Sequence, residues 1–298
     1  MITRVTGFAM KVEIATCPCS WGVFWPDGSP SNVPYKVFLD QAAASGYVGL
    51  ELGPVGYLPT ERILLDRELS SRGLRARAGT ACYKVDEAAG FGDFRQRAED
   101  LCSLLQSFGI EYLMMMDESA FGGDRETKRM ERQRLLKCYD IIKEYTRYAK
   151  EEFGITVVFH PHAGTIVETE DEILDFMDRT GNLLCFDTGH HQLVNGSPEK
   201  GDTCAVDFFL KYHDRIPYLH FKNVDGGKMK QNASYDDSTV FCALEDGIID
   251  FLEFKQALEK TGYNGIGVVE QDMAGEPAEK SFALSKRNRE FLEKIGMI

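Results

Sequence analysis

Apolar positions along the chain repeat in one unit. An amphipathic stretch is followed by a glycine, then by a short, almost uninterrupted apolar run. The runs read SGYVGLEL (45–52), RGLRARAGT (72–80), FGIEYLMMMD (108–117), FGITVVFH (153–160), TGNLLCFDTG (180–189) and TGYNGIGVVE (261–270). Each glycine sits where a helix would end in a left-handed residue. The Val, Ile, Leu and Met that follow predict strands covered on both faces. VEIATC (12–17) opens the series, and PYLHFK (217–222) follows a helix around 204–213. The stretches between them carry helical stripes: Leu135, Tyr139, Ile142, Tyr145, Ala149 and Phe153 form one, and Phe94, Ala98, Leu101, Leu105 and Phe108 another. The segment Asp250 to Glu253 reads as the capped start of a further helix.

Eight βα units in 298 residues predict an α/β fold, a (β/α)8 barrel forming a single domain over 1–298. A doubly wound open sheet is the other arrangement to consider, but no G-x-G-x-x-G follows the first strand, which counts against a dinucleotide-binding version. The polar, Gly-containing stretch 223–248 is too long for an ordinary connection and is expected to cover a site.

The composition is that of a folded globular chain, 43% hydrophobic and 27% charged. The net charge of −13 argues against a nucleic-acid groove and against an anionic membrane surface. No apolar run is long enough to span a bilayer, and the first ten residues do not resemble a signal peptide. Eight cysteines with no C-x-x-C pair predict reduced thiols and a cytoplasmic protein; most would fill the core, although Cys17 or Cys19 could line a site. Phe121 is a candidate contact for self-association into a homo-oligomer.

Five of the six histidines, His160, His162, His190, His191 and His220, fall at or just past the ends of the fifth, sixth and seventh predicted strands. His213 falls on a helix and is expected at the surface. The C-terminal rim of a barrel is where active sites are built. His160, Asp187, His220 and Glu270 cap four consecutive strands and should converge. Two imidazoles and two carboxylates suit one divalent ion, Mn²⁺ or Co²⁺ first, with Zn²⁺, Fe²⁺ or Mg²⁺ also compatible. The alternative, a metal-free polar network, would place two buried carboxylates against each other without a cation. Lys222 shares the face of His220 and is expected near the ion. Trp21, Glu51, Tyr83, Asp117 and His191 are expected to touch substrate, Trp21 by offering an aromatic face to a sugar ring.

The motifs VVFHPHAGTIVETEDEILDFM (157–177), CFDTGHHQLVNG (185–196), RIPYLHFKNV (215–224), EDGIIDFLEF (245–254) and GVVEQD (267–272) resemble the xylose-isomerase-like barrel superfamily, and within it the inosose dehydratases. CSWGVFW (19–25) and GLELGPVGYLP (49–59) resemble its loops more loosely. The resemblance implies a divalent metal, usually Mn²⁺ or Co²⁺, held by the four rim residues, and dehydration of a cyclic ketopolyol such as inosose to a diketone in inositol catabolism.

Related epimerases resemble one another in a pair of metal-bound glutamates, one after strand five and one after strand eight. Here strand five offers His160, which favours elimination over a two-carboxylate epimerisation. Elimination needs a base for the proton beside the ketone and an acid for the departing hydroxyl. His162, His190, Lys222 and Glu270 are the catalytic candidates. The same chemistry would serve β-elimination on a 3-keto-sugar. A ketose isomerase or epimerase would need a further carboxylate, Glu51 or Asp117. A metal-dependent nuclease like endonuclease IV conflicts with the acidic charge, and a non-catalytic sugar-binding module leaves the crowd of titratable rim residues unexplained.

Overall fold

The structure, a computed structural model, describes residues 10–119, 132–231 and 238–298. Ten strands occur among them: β1 (Lys11–Thr16), β2 (Gly49–Glu51), β3 (Arg75–Tyr83), β4 (Tyr112–Asp117), β5 (Thr156–Phe159), β6 (Leu183–Asp187), β7 (Tyr218–Phe221), β8 (Asn223–Val224), β9 (Phe241–Cys242) and β10 (Asn264–Val269). Eight of these form a closed parallel barrel in the order β1-β10-β7-β6-β5-β4-β3-β2, with β2 returning to β1. The first strand begins and ends one residue earlier than the sequence suggests, and β3 runs three residues past Thr80 to Tyr83.

Local signals explain the units. The six glycines at the ends of the amphipathic stretches, Gly46, Gly73, Gly109, Gly154, Gly181 and Gly262, all have positive φ, a conformation that costs glycine nothing. Thr169 and Glu172 form a reciprocal capping box on the helix Glu170–Thr180. Asp250 accepts from the backbone of Leu252 and Glu253 and so starts the helix Phe251–Thr261.

Side chains alternate across each barrel strand. Ala15, Ala78, Met114, Val158, Cys185, Tyr218 and Val268 pack together in the barrel interior. Their neighbours Ile14, Leu113, Met115, Phe159, Phe186, Leu219 and Val269 belong to the larger cluster formed with the helices. The interior parity carries on to His160, Asp187, His220, Lys222 and Glu270 at the strand ends.

The described residues of the 223–248 stretch carry secondary structure of their own. Strands β8 and β9 pair antiparallel, and a short helix, Gly226–Lys230, lies between them. Asn223 Nδ2 donates to the carbonyls of Leu244 (2.7 Å) and Ile249 (3.0 Å), pinning the excursion back to its base. All eight cysteines are free, and no helix among the described residues is long and apolar enough to cross a membrane. Phe121 lies outside the described residues. His213 begins a 3-10 turn, Cys204–Tyr212 being the helix before it, and is half-buried beside Asp214.

Candidate metal and active site

The ends of β6, β7 and β10 bring three of the four expected ligands together. Asp187, His220 and Glu270 each offer an atom within 4.8 Å of the others. His220 Nδ1 lies 3.8 Å from Asp187 Oδ2 and approaches Glu270 Oε2 closely. His160, at the end of β5, reaches the group through His220: these two and Cys185 offer atoms within 4.8 Å, as do His160, His162 and His190.

One observation tests whether these residues fit a cation. His160 Nδ1, Asp187 Oδ2, His220 Nδ1 and Glu270 Oε2 are all buried and make no well-formed hydrogen bond, although Lys222 Nζ lies 3.3 Å from Asp187 Oδ2 and His220 Nδ1 pairs with Glu270 Oε2. Leaving such atoms unsatisfied is costly. A divalent ion that accepts nitrogen and oxygen ligands would satisfy the atoms of Asp187, His220 and Glu270, which lie within reach of one another, and that donor set fits it.

The other nitrogen of His220 is committed elsewhere. Nε2 lies 2.9 Å from Oε1 of Glu51, on β2 across the interior. Burial opposes a charge on His220, but Cys185, Glu270 and Glu51 together hold its pKa well above the ordinary imidazole range. Burial likewise opposes charge on Glu270, yet Lys222 and His220 hold its carboxyl well below the usual range.

Lys222 is fully buried and bridges the site. Its Nζ lies 3.0 Å from Glu270 Oε1, 3.3 Å from Asp187 Oδ2, 3.2 Å from Asp272 Oδ2 and 2.9 Å from His190 Nε2. Desolvation disfavours the ammonium, but Asp187, Asp272 and Glu270 outweigh it and raise the pKa well above normal. Because an ammonium can only donate, His190 Nε2 must accept. Thr188 Oγ1 accepts from Lys222 N at 3.0 Å and donates to its carbonyl at 2.7 Å. A Cβ on Gly189 would stand 2.6 Å from Lys222 Cγ, so the D-T-G-H glycine gives the lysine stem its passage. The ring of Phe241 on β9 lies 4.8 Å from Lys222 Nζ and 5.0 Å from the His190 ring. The 223–248 excursion therefore covers the site on that side.

The His162 and His190 rings are 3.7 Å apart. His162 Nδ1 is 2.7 Å from the carbonyl of Ala163, which fixes Nδ1 as the donor and leaves the ring lone pair on Nε2. Burial and Lys222 push His162 down to about 4, so it is neutral near pH 7.

Four residues expected to touch substrate lie elsewhere. Trp21 has no exposed surface; it packs edge-on against Phe38 at 5.0 Å and donates from Nε1 to Gln41 Oε1 at 2.7 Å. Tyr83 stacks on Phe94 at 4.7 Å in the helical layer, because in β3 the inward parity belongs to Thr80 and Cys82. Asp117 has the outward parity of β4, where Met116 faces in, and it accepts from the backbone of Ser119 (2.8 Å) and Val85 (3.3 Å). His191 packs against Phe208 at 4.5 Å and Phe186 at 5.1 Å, outside the barrel. Glu51 is the one member of that group that reaches the centre.

Asp272 and Phe241 were not singled out from the sequence. For Asp272 the signal was present: it lies two residues beyond Glu270, on the same alternating face. Burial pushes its carboxyl up to about 6 despite Lys222. Phe241 carried no comparable signal, since the ribbon that positions it is set by tertiary pairing.

A closed eight-stranded barrel with polar groups gathered at the C-terminal strand ends is the architecture of a TIM barrel with a candidate site on its rim. The chain belongs to the xylose isomerase-like TIM barrel family, whose sequence profile matches residues 39–295. It is 28% identical over 281 residues to the rhizopine catabolism protein MocC of Rhizobium meliloti, covering 88% of this chain and 82% of that protein. It is 26% identical over 309 residues to an inosose dehydratase of Lacticaseibacillus casei, covering 95% and 97%. Its fold is similar to that of a probable 3-DHS dehydratase, AsbF, from Bacillus anthracis (TM-score 0.69, 17% identity, 95% of this chain and 99% of that one). The IolI protein, solved with a bound zinc atom, is similar to the same extent in fold (TM-score 0.69, 12% identity, 96% and 99%).

Proposed function

We propose that the protein is a metal-dependent dehydratase that eliminates water beside the ketone of a keto-cyclitol such as inosose. The observation that carries this reading is the convergence of buried ligand atoms on Asp187, His220 and Glu270, with His160 adjoining them and a buried lysine and two neutral histidines against them. The similarity to inosose dehydratases over nearly the whole chain supports the substrate class. Mn²⁺ or Co²⁺ is the preferred ion, and Zn²⁺, Fe²⁺ and Mg²⁺ are compatible with the donors. The free thiols fit a cytoplasmic setting.

A divalent ion held by Asp187, His220 and Glu270 would supply Lewis acidity, which polarises a substrate carbonyl and acidifies the neighbouring C–H. His162, neutral and with its lone pair on Nε2, takes that proton. Lys222 keeps its charge at neutral pH. It stabilises negative charge developing on the substrate oxygen and supplies the proton that leaves with the hydroxyl. His190 positions Lys222 by accepting from Nζ. Phe241 keeps bulk water from that side of the ammonium.

The isomerase or epimerase alternative needs a second carboxylate at the reacting carbon. Asp117 points away, and Glu51 is engaged by His220. Incubation of the metal-loaded protein with 2-keto-myo-inositol separates the two readings. Appearance of an absorbing diketone with loss of one water supports the dehydratase; an isomeric product of unchanged mass, or no turnover with any divalent ion, refutes it.

A further inference from the structure

Beside the ligand group described above lies a second cluster, which shares Glu270 with it and adds two cysteines that the elimination does not use. Cys17 follows β1 with inward parity and is fully buried; Cys19 lies in the 3-10 turn Pro18–Trp21 and is half-buried. Cys17 is extended (φ −141°, ψ 160°), and the turn that follows brings the second sulfur back toward the first. Each sulfur and one carboxylate oxygen of Glu270 lie within 4.8 Å of one another. The turn is anchored to the end of β10: Ser20 Oγ donates to the carbonyl of Val269 at 3.2 Å and accepts from Gln271 N at 3.1 Å. The sulfurs are thus held against the strand that carries Glu270.

We infer that Cys17, Cys19 and Glu270 form a second cation site, selective for a thiophilic divalent ion such as Cd²⁺ or Zn²⁺. Two sulfurs and one oxygen are a soft donor set, whereas the neighbouring Asp187, His220 and Glu270 group is a harder one. Two thiolates and a carboxylate neutralise a divalent ion with one negative charge to spare. Binding releases the two thiol protons to solvent and needs no oxidant or reductant. Because Glu270 belongs to both groups, a soft ion held by the thiols draws that carboxylate away from the harder site. The protein would then be sensitive to thiophilic ions in a way that its elimination chemistry does not require.

The test is optical and independent of turnover. The full chain, freed of metal by chelation and kept reduced, is titrated with Cd²⁺ alone. The wild type is expected to develop a near-ultraviolet thiolate-to-metal charge-transfer band that saturates at one equivalent. Cys19→Ser, a near-isosteric change at a half-buried position, should weaken Cd²⁺ binding by roughly tenfold or more, as loss of a direct ligand must. The Cys17→Ser/Cys19→Ser double variant should lose the band, with far-ultraviolet circular dichroism checking its fold. Cys185→Ser should retain it. The assignment is overturned if the wild type shows no band, if Cys19→Ser binds as the wild type does, or if the band depends on Cys185, which would place the ion with His160 and His220 instead.

Discussion

Glu51 Oε1 stands 2.9 Å from Nε2 of His220, joining β2 to β7 through the barrel interior. A carboxylate there holds the proton on Nε2 and turns Nδ1 toward Asp187 and Glu270. Carboxylate–histidine pairs of this kind orient metal-binding imidazoles and raise their basicity. Glu51→Ala is expected to lower affinity for Mn²⁺ or Co²⁺ about 10–100-fold, measured by competition with a chromophoric chelator. Unchanged affinity would show that the contact does not orient a ligand.

Glu270 contributes to the ligand group through one oxygen and to Lys222 through the other. Glu270→Gln keeps the shape and removes the charge. Metal-dependent turnover should disappear, with metal stoichiometry by elemental analysis falling in parallel. Full activity in this variant would remove Glu270 from the site.

Lys222→Met keeps much of the buried stem and deletes the ammonium. The expected result is a fall in kcat of about a hundredfold or more, within the range for loss of an acid–base group, with bound metal retained. Loss of the metal instead would make the lysine structural, a clamp for Asp187, Glu270 and Asp272.

Trp21 is a packing residue. Trp21→Ala should cost about 3–5 kcal/mol of stability, the usual range for truncating a buried aromatic side chain, read by urea denaturation. The KM of protein that remains folded should stay within twofold; a selective rise in KM would return Trp21 to the substrate pocket.

Asp117 gives a pH dependence remote from the metal ligands. Burial pushes its carboxyl from the ordinary value near 3.8 up to about 6, against hydrogen bonds from Ser119 and Val85. The folded state therefore binds this proton more tightly than the unfolded one. The resulting stability is fully present below the unfolded pKa and is lost as pH rises through about 6. Asn can still accept at Oδ1 and carries no charge. Asp117→Asn should thus be stabilising by on the order of 1–3 kcal/mol at pH 8, with the gain shrinking toward zero at pH 4. Denaturation at the two pH values checks the sign, and a gain that grows on acidification would contradict it.

The barrel was legible because its signals are local and repeated: a glycine of positive φ closing each helix, then an apolar run. Residues sharing parity with a known inward position were also legible, and Lys222, two after His220, is the clear case. Closeness to a strand end does not fix inward orientation: Tyr83 and Asp117 end their strands but face the helical layer. Their neighbours Cys82 and Met116 hold the inward parity. Trp21, as an aromatic face for a sugar ring, and His191, as a rim imidazole, both suit a site in sequence, and only packing against Phe38 and Phe208 assigns them to the helical layer. Phe241 reaches the site through a ribbon whose pairing has no short-range signature.

The ring closes where β10 meets β1, and Glu270 directly follows β10. A growing polypeptide that has made only the first seven barrel strands has an open edge and lacks this carboxylate. On the proposed reading, the ligand set is complete only once the last barrel strand is in place, so that closing the scaffold and completing the centre would coincide.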